Sequence, residues 1–213
     1  MNPVSSDVSH AWSPMPAHNE GSVPVLAHGS IYLRPAERDD VPLFVRWFAD
    51  DRTLHNLGAR APFSQAAEER WFEGMLERHG REEWFFVICL RVDHRPVGTG
   101  GLMHVDLTNG SAGLGISIGD PRDTGRGYGG DAIRAILRFG FGRLRLERIW
   151  LDVYDTNPAA RRLYERLGFV HEATLRHAFW RDERWVDDHR MAILADEWRA
   201  SVAADGGSTA PAG

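Results

Sequence analysis

The chain has only one cysteine among its 213 residues, so it can form neither an intrachain disulfide nor a cluster of cysteine ligands around a metal. That cysteine, Cys89, lies inside the apolar run from Trp84 to Leu90, which predicts a buried small hydrophobe. No apolar run approaches the roughly 18 residues that a membrane helix needs. The 10 histidines are scattered without the spacing of a metal site. We therefore expect a cytoplasmic protein with no metal and no membrane partner.

The chain also lacks an excess of positive charge, because its 25 Lys and Arg residues are outnumbered by 30 Asp and Glu, which leaves a formal net charge of -5. A protein that binds the phosphate backbone of a nucleic acid is expected to carry a basic surface. The composition therefore argues against a nucleic acid and favours a neutral or cationic partner.

Composition and periodicity divide the chain into three parts. Residues 1–29 mix proline, serine and glycine without a helical or strand period, which predicts a flexible leader. Residues 201–213 predict a flexible tail. The folded domain is expected to span residues 30–200.

Within that domain, the apolar patterns of residues 84–92, 96–105 and 111–118 predict an antiparallel meander, since the first connection is too short for anything but a hairpin. A glycine-rich loop, a helix, a strand over residues 148–154 and a second helix capped by Asn157 follow. This order implies a right-handed crossover between parallel strands. The predicted fold class is a single α/β domain with a mixed sheet.

The loop from Thr124 to Gly130 places four glycines directly before a helix. Glycine lets backbone N–H groups face outward without obstruction by a Cβ atom, and here those groups add to the positive end of the helix dipole. The loop is therefore predicted to bind a phosphate group.

One interpretation of this loop is a dinucleotide site. Gly125, Gly127 and Gly130 spell G-x-G-x-x-G, and Asp152 lies about where a ribose-binding acid would stand. However, residues 121–124 separate the preceding strand from the glycines, whereas a dinucleotide turn follows its strand directly. The loop therefore only weakly supports a nicotinamide-dependent oxidoreductase.

Three segments together carry a resemblance to a known family. They are the strand 112–118, the loop Thr124-Gly125-Arg126-Gly127-Tyr128-Gly129, and the segment DTNPAARRLYERLGF from Asp155 to Phe169. The chain resembles the Gcn5-related N-acetyltransferases (GNAT), and most closely the branch of ribosomal-protein alanine and spermidine N-acetyltransferases. The resemblance covers about residues 31–198. It implies a fold with two splayed central strands, and an enzyme that moves an acetyl group from acetyl-CoA to a primary amine by direct attack on the thioester.

The resemblance also implies where acetyl-CoA binds. In this family the glycine loop cradles the pyrophosphate, and the pantetheine arm runs between the two splayed strands. The implied cofactor-binding residues are Ile116, Ser117, Ile118, Thr124, Gly125, Arg126, Gly127, Tyr128, Gly129, Gly130 and Asn157. Thr124 departs from the motif, which usually has Gln or Arg there, so Arg122 or Arg126 is expected to supply the charge.

Acetyl transfer needs a base for the amine and a proton for the departing thiolate. The resemblance implies that Tyr164 is the acid, because the tyrosine at this place in the motif has that role. Many family members place a Glu on the strand before the glycine loop, but the matching position here is Gly113. Some relatives use a carboxylate on the following strand instead, which aligns with Asp152. His104 is a second candidate for the base.

The acceptor stays open at this point, since a peptide N-terminus, a polyamine or another small amine all fit. The departures at Gly113 and Thr124 suggest an alternative of another class, an acyl-CoA-binding interaction module with little or no turnover. An exposed aromatic strand near residues 180–185 would suit a homodimer contact.

Overall fold

The computed structural model describes residues 26–50, 53–54, 62–181 and 183–206. Nearly all of the predicted leader lies outside these ranges, as do residues 207–213 of the predicted tail.

The described residues form eight strands and five longer helices. The strands are β1 (Ala27–His28), β2 (Ile31–Pro35), β3 (Trp84–Leu90), β4 (Pro96–Asp106), β5 (Ser111–Ile118), β6 (Arg148–Tyr154), β7 (Val170–Arg181) and β8 (Arg184–Leu194). The helices are α1 (Val41–Trp47), α2 (Gln65–Arg78), α3 (Tyr128–Gly142), α4 (Pro158–Arg166) and α5 (Ala195–Gly206).

The strands make one mixed sheet in the order β1-β2-β3-β4-β5-β6-β8-β7. Within this described sheet, β5 and β6 run parallel and every other neighbouring pair runs antiparallel. Helix α3 makes the crossover between the two parallel strands. The predicted meander, the β-α-β crossover and the mixed sheet are all confirmed.

The sheet has a separate hydrophobic core on each face. On one face, apolar side chains of α3 such as Ile133 and Ile136 pack with Ile149 and Leu151 of β6. On the other face, α1 and α2 contribute Phe44, Trp47, Phe72 and Met75 to a second cluster that includes Cys89. We call these the α3 face and the α1 face. Cys89 is buried, as its apolar surroundings in the sequence predict.

The helix boundaries follow local signals in the sequence. Ser64 caps α2 by accepting a hydrogen bond from the backbone N–H of Ala67, and Asn157 caps α4 by accepting one from Ala160. Pro158 fills the first position of α4, where no N–H is needed. Gly168 follows α4 with φ at 93°, a conformation that glycine adopts without strain.

Two elements near the end of the described chain extend further than their sequence patterns suggest. The pattern of residues 169–175 predicts a strand that ends near Leu175, but β7 continues to Arg181, because a register shift between Leu175 and Phe179 absorbs extra residues and lets pairing with β8 resume. Helix α5 continues to Gly206, so the boundary expected at residue 201 falls inside a helix.

Among the residues described, no helix is long and apolar enough to cross a membrane. In the same part of the chain, no group of three or more His, Cys, Asp or Glu side chains is arranged to hold a metal ion.

Two glycines of α3 provide a matched test of the packing on the α3 face. A Cβ atom at Gly140 would lie 2.7 Å from the end of Ile149, whereas one at Gly142 would meet nothing within 4 Å. We expect Gly140→Ala to lower the free energy of unfolding by about 1–2 kcal/mol, because overpacking outweighs the gain in helix propensity. Gly142→Ala should raise it by up to about 1 kcal/mol. Urea unfolding of both variants checks this, and equal effects would contradict the packing described here.

Candidate active site

The centre of the sheet contains a gap between its two parallel strands. Backbone pairing between β5 and β6 runs from Ser111 and Arg148 to Gly113 and Trp150 and then stops. The large Trp150 ring lies against Gly113, where a Cβ atom would be only 3.0 Å from it. Beyond this pair, the described residues show no strand pairing across the gap. The splayed strands implied by the sequence resemblance are therefore present.

The backbone of β5 offers hydrogen-bonding groups to this gap. Gly119 N–H donates to the Val97 carbonyl at 2.9 Å, which makes Ser117 with Thr99 the next hydrogen-bonded pair of the antiparallel ladder. The residues on either side of Ser117, Ile116 and Ile118, therefore turn their N–H and C=O groups away from β4 and towards the gap. These two residues suit a pantetheine arm as expected, whereas Ser117 uses its backbone groups within the sheet.

The glycine loop has the open backbone that an anion needs. Gly125 and Gly127 have φ values of 77° and 87°, which favour glycine, and a Cβ atom at either position would meet nothing within 4 Å. The first helical hydrogen bond of α3 runs from Asp131 N–H to Gly127 C=O. The N–H groups of Tyr128, Gly129 and Gly130 precede it and accordingly have no partner within the helix.

The loop follows β5 through a short 3-10 turn, Pro121–Asp123, and not directly as a dinucleotide turn does. The charged side chains of the loop stay at its surface. Arg126 donates from Nε to the Arg122 carbonyl at 2.9 Å, and Arg122 forms an ion pair with Asp120 at 2.7 Å. Both guanidinium groups thus lie beside the glycine loop, on its solvent side.

A two-pronged ion pair anchors the loop to the β3–β4 connection. Arg95 donates to both carboxylate oxygens of Asp123, at 2.7 and 2.9 Å. The Asp123 side chain is only 5% exposed, whereas Arg95 is about half exposed. These hydrogen bonds lower the pKa of Asp123. The pair therefore fixes the start of the glycine loop to a connection that lies 28 positions earlier in the chain.

Tyr164 of α4 lies on the α3 face of the gap. Its side chain is buried in the same cluster as Ile149 and Leu151, with its ring 5.9 Å from that of Phe169. Burial raises the pKa of Tyr164 to about 12, so the phenol stays protonated at neutral pH. The described residues provide no hydrogen-bond partner for its hydroxyl. The phenol can therefore serve as a proton donor.

Asp152 lies on the opposite side of the sheet, the α1 face, and is tightly paired. Arg190 of β8 donates from Nε and Nη2 to its two carboxylate oxygens at 2.8 and 2.7 Å. The Arg190 guanidinium also stacks 4.2 Å from the centre of the Trp150 ring, and His104 stacks on that ring. The structure thus brings both sequence candidates for the base, Asp152 and His104, to the same face of the gap.

Two buried charged residues on this face were not predicted from the sequence. Asp188 of β8 is 5% exposed, and its Oδ1 atom has no hydrogen-bond partner among the residues that the structure describes. Burial, and secondarily the charge of Asp152, raises the pKa of Asp188 to about 6. Arg181 of β7 is 8% exposed and packs 4.7 Å from the ring of Tyr154. The alternation of Val186, Asp188 and Arg190 along one strand is the signal that could have placed Asp188 beside Asp152.

Comparison with known proteins identifies close similarities. Residues 30–170 match the acetyltransferase (GNAT) domain family, which is more than half of the chain. A spermidine N(1)-acetyltransferase of Vibrio cholerae is 28% identical over 173 residues, covering 80% of this chain and 96% of the relative. A prophage-derived, uncharacterized N-acetyltransferase of Bacillus subtilis is 28% identical over 170 residues, covering 79% of this chain and 92% of the relative.

A solved structure shows the same arrangement of the chain. The spermidine N-acetyltransferase of Vibrio cholerae in complex with CoA and spermine aligns with a TM-score of 0.74 at 27% identity, covering 80% of this chain and 98% of that chain.

The ion pair between Arg95 and Asp123 makes a testable contribution to stability. We expect Arg95→Met to lower the free energy of unfolding by about 1–2 kcal/mol at pH 7, since it leaves the buried Asp123 carboxylate without its partner. The loss is limited because the Arg95 side chain is half exposed and its charge is screened by solvent. A carboxyl whose pKa is lowered in the folded state stabilises the fold above its ordinary pKa and loses that contribution as the pH falls through the folded value. The difference between variant and wild type should therefore shrink in acid. Unfolding at several pH values checks this, with the exposed Arg70→Met as control; a difference independent of pH would contradict it.

Proposed function

The chain belongs to the GNAT acetyltransferase family, and we propose that the primary amine it acetylates is a polyamine. The activity itself follows from the family and from the relatives with which the chain aligns over most of its length. The protein is an N-acetyltransferase that uses acetyl-CoA as co-substrate and transfers the acetyl group to an amine. It is an enzyme, so the alternative of a binding module without turnover is not retained.

The residues of the gap and the loop fit acetyl-CoA. We propose that the N–H groups of Tyr128, Gly129 and Gly130 bind the pyrophosphate together with Thr124, Gly125 and Gly127, because this backbone is open and lies at a helix N-terminus. Arg126 adds charge from the solvent side.

The pantetheine arm is proposed to bind to the backbone of Ile116 and Ile118, whose polar groups face the gap, with Asn157 at its far end. Acetyl-CoA supplies the activated acetyl group, and the protein binds it between the two strands. Reaction then requires an amine to approach from the α1 face, since α3 and α4 cover the other.

Tyr164 is proposed to donate the proton that the departing thiolate needs. A thiol has an ordinary pKa near 8.5, so a phenol kept neutral by burial is protonated whenever a thiolate forms. Asp152 was predicted as the base that takes a proton from the amine, and that role stays a prediction. Its two bonds to Arg190 occupy one acceptor site on each oxygen, so a proton from the amine would have to reach the remaining site of one of them.

An excess of carboxylates beside the gap carries the polyamine proposal, since four carboxylates of β6, β8 and the turn after β6 stand against the guanidinium groups of Arg181 and Arg190. Asp152 and Asp188 lie on neighbouring strands at this face. Asp155 follows β6 directly and donates its backbone N–H to the carbonyl of Asp187, so two more carboxylates stand at the end of these strands. A polyamine carries several positive charges at neutral pH and complements such a surface. The spermidine and spermine named for the relatives support the same class of acceptor.

A peptide N-terminus is the second candidate, and Arg181 is the observation that favours it. Its guanidinium is buried over the Tyr154 ring, and within the described part of the chain its Nε atom has no hydrogen-bond partner. A buried donor of this kind suits a carbonyl oxygen. A peptide has such an oxygen next to its α-amine, and a polyamine has none.

Replacement of Tyr164 tests the proton donor. We expect Tyr164→Phe to lower kcat by about 100-fold with little change in the affinity for acetyl-CoA, because the variant loses the proton and keeps the ring. Thiol release gives kcat, and a thermal shift with CoA gives binding. Tyr32→Phe is the matched control, since this buried tyrosine lies on β2, three strands from the gap. A Tyr164→Phe variant with unchanged kcat would remove Tyr164 as the donor.

A panel of amines tests the acceptor. We expect kcat/KM for spermidine and spermine to exceed that for a monoamine of similar length by at least about tenfold, and to fall with rising salt as a charge-driven preference must. Peptides with a free N-terminus form the second arm, and the same peptides acetylated at the N-terminus are the blank. A preference for peptides that is insensitive to salt would replace the polyamine with the second candidate.

A further inference from the structure

On the α1 face, a two-pronged ion pair holds Asp152. Asp152 lies on a strand that borders the gap, but Arg190 of the neighbouring strand binds both of its oxygens. Arg190 thus occupies one acceptor site on each oxygen of Asp152, and its positive charge repels an approaching ammonium group. A carboxylate on this face without such a partner is better placed to take the proton of an amine.

Asp188 is a carboxylate in the right place without such a partner. It stands opposite Tyr154 in the β6–β8 ladder, two residues from Arg190, which stands opposite Asp152. Residues directly opposite each other share a face, so Asp188 and Asp152 lie side by side on the α1 face. The Asp188 side chain is buried, and no described residue donates a hydrogen bond to its Oδ1 atom. A buried carboxylate oxygen without a donor is costly unless a ligand supplies one.

The charges around Asp188 keep it ready to accept a proton. Asp152 on β6 repels its negative charge, and Arg190 on β8 and the backbone N–H of His189 stabilise it. Arg181 on β7 packs over Tyr154, the residue opposite Asp188. Burial is the largest effect and raises the pKa of Asp188 to about 6. A carboxylate of that pKa is ionised at neutral pH and is a stronger base than an exposed one.

We propose that Asp188, and not Asp152, takes the proton from the acceptor amine, directly or through one water, while Asp152 binds Arg190 and prevents it from pairing with Asp188. The proposal rests on the function proposed above only in requiring an amine acceptor; it does not depend on which amine is used.

The protons of the reaction balance on this assignment. The ammonium loses two protons: Asp188 takes the first, which frees the lone pair, and releases it to solvent. The nitrogen then forms a bond to the carbonyl carbon of the acetyl group while the carbon–sulfur bond breaks. Tyr164 gives its proton to the thiolate and is reprotonated by the second proton of the nitrogen, through solvent. One proton is released for each acetyl group transferred.

The placement of the two groups on opposite faces agrees with this sequence of events. Tyr164 belongs to the cluster on the α3 face, whereas Asp188 belongs to the α1 face. The amine adds to the carbonyl carbon from the open α1 face, and the thiolate departs on the cofactor arm in the gap. Each group is therefore on the side where its proton is needed.

The test compares Asp188→Asn with Asp152→Asn in the full-length protein, with the best amine of the panel at saturation. We expect Asp188→Asn to lower kcat by about 100-fold and to abolish the acid limb of the kcat–pH profile. Asp152→Asn should keep an acid limb and move it to lower pH, because removing the charge of Asp152 lowers the pKa of Asp188. Asp188→Glu should restore part of the activity together with an acid limb.

Two further measurements separate this effect from misfolding. A carboxyl whose pKa is raised in the folded state destabilises the fold as the pH rises from its ordinary pKa to the folded value. Asp188→Asn removes this cost, so its Tm at pH 7 should be no lower than that of wild type. Its thermal shift with CoA should be unchanged. Glu172→Gln is the control, since this carboxylate pairs with Arg148, at the opposite end of β6 from Tyr154; it should leave kcat unchanged.

Each outcome decides the matter. An acid limb that is retained in Asp188→Asn and lost in Asp152→Asn overturns the proposal and restores Asp152 as the base. Unchanged kcat in Asp188→Asn also overturns it, while the acetyltransferase activity stands. A wild type that acetylates no amine overturns the proposed function and this inference together.

Discussion

The structure depends on the point at which two parallel strands stop pairing. The Trp150 ring occupies the space that a side chain at position 113 would need, and after this pair β5 and β6 separate. The separation exposes backbone groups of Ile116 and Ile118 that a continuous sheet would have satisfied internally. Backbone groups inside a sheet are costly to leave unpaired, so those in the gap need water or a bound molecule to complete their hydrogen bonds. The departure at Gly113 from the family pattern thus has a steric role, because it makes room for the tryptophan.

The gap also divides the chemistry between two environments. On the α3 face, Tyr164 is surrounded by apolar side chains, and burial keeps its phenol neutral. On the α1 face, Asp152 and Asp188 lie beside Arg190, and burial, followed by the charge of Asp152, raises the pKa of Asp188. The same sheet therefore has an apolar face around Tyr164 and a charged face where the amine is proposed to approach. Neither helix layer alone could provide both.

The parts of this arrangement that the sequence predicts are those that depend on local signals. The glycine loop, the Asn157 cap and the order of strands and helices each follow from neighbouring residues, and the structure confirms these elements. The surroundings of Asp188 depend on the register of β8 with β6, and those of Arg181 depend on a bulge in β7. Register and bulges arise from tertiary packing, so no short motif reveals them. The pairing of Arg190 with Asp152 joins residues 38 positions apart and was not foreseen for the same reason.

Arg181 and Arg190 are the cations of β7 and β8 that border the acceptor side of the gap, and their chemical type has a consequence for an enzyme that handles activated acetyl groups. A lysine in either place would present an amine to the thioester and could be acetylated in the enzyme's own cleft. A guanidinium keeps its positive charge at any physiological pH and is a very poor nucleophile. All 25 basic residues of the chain are arginines, and none is a lysine. The protein therefore carries no side-chain amine that could compete with its substrate.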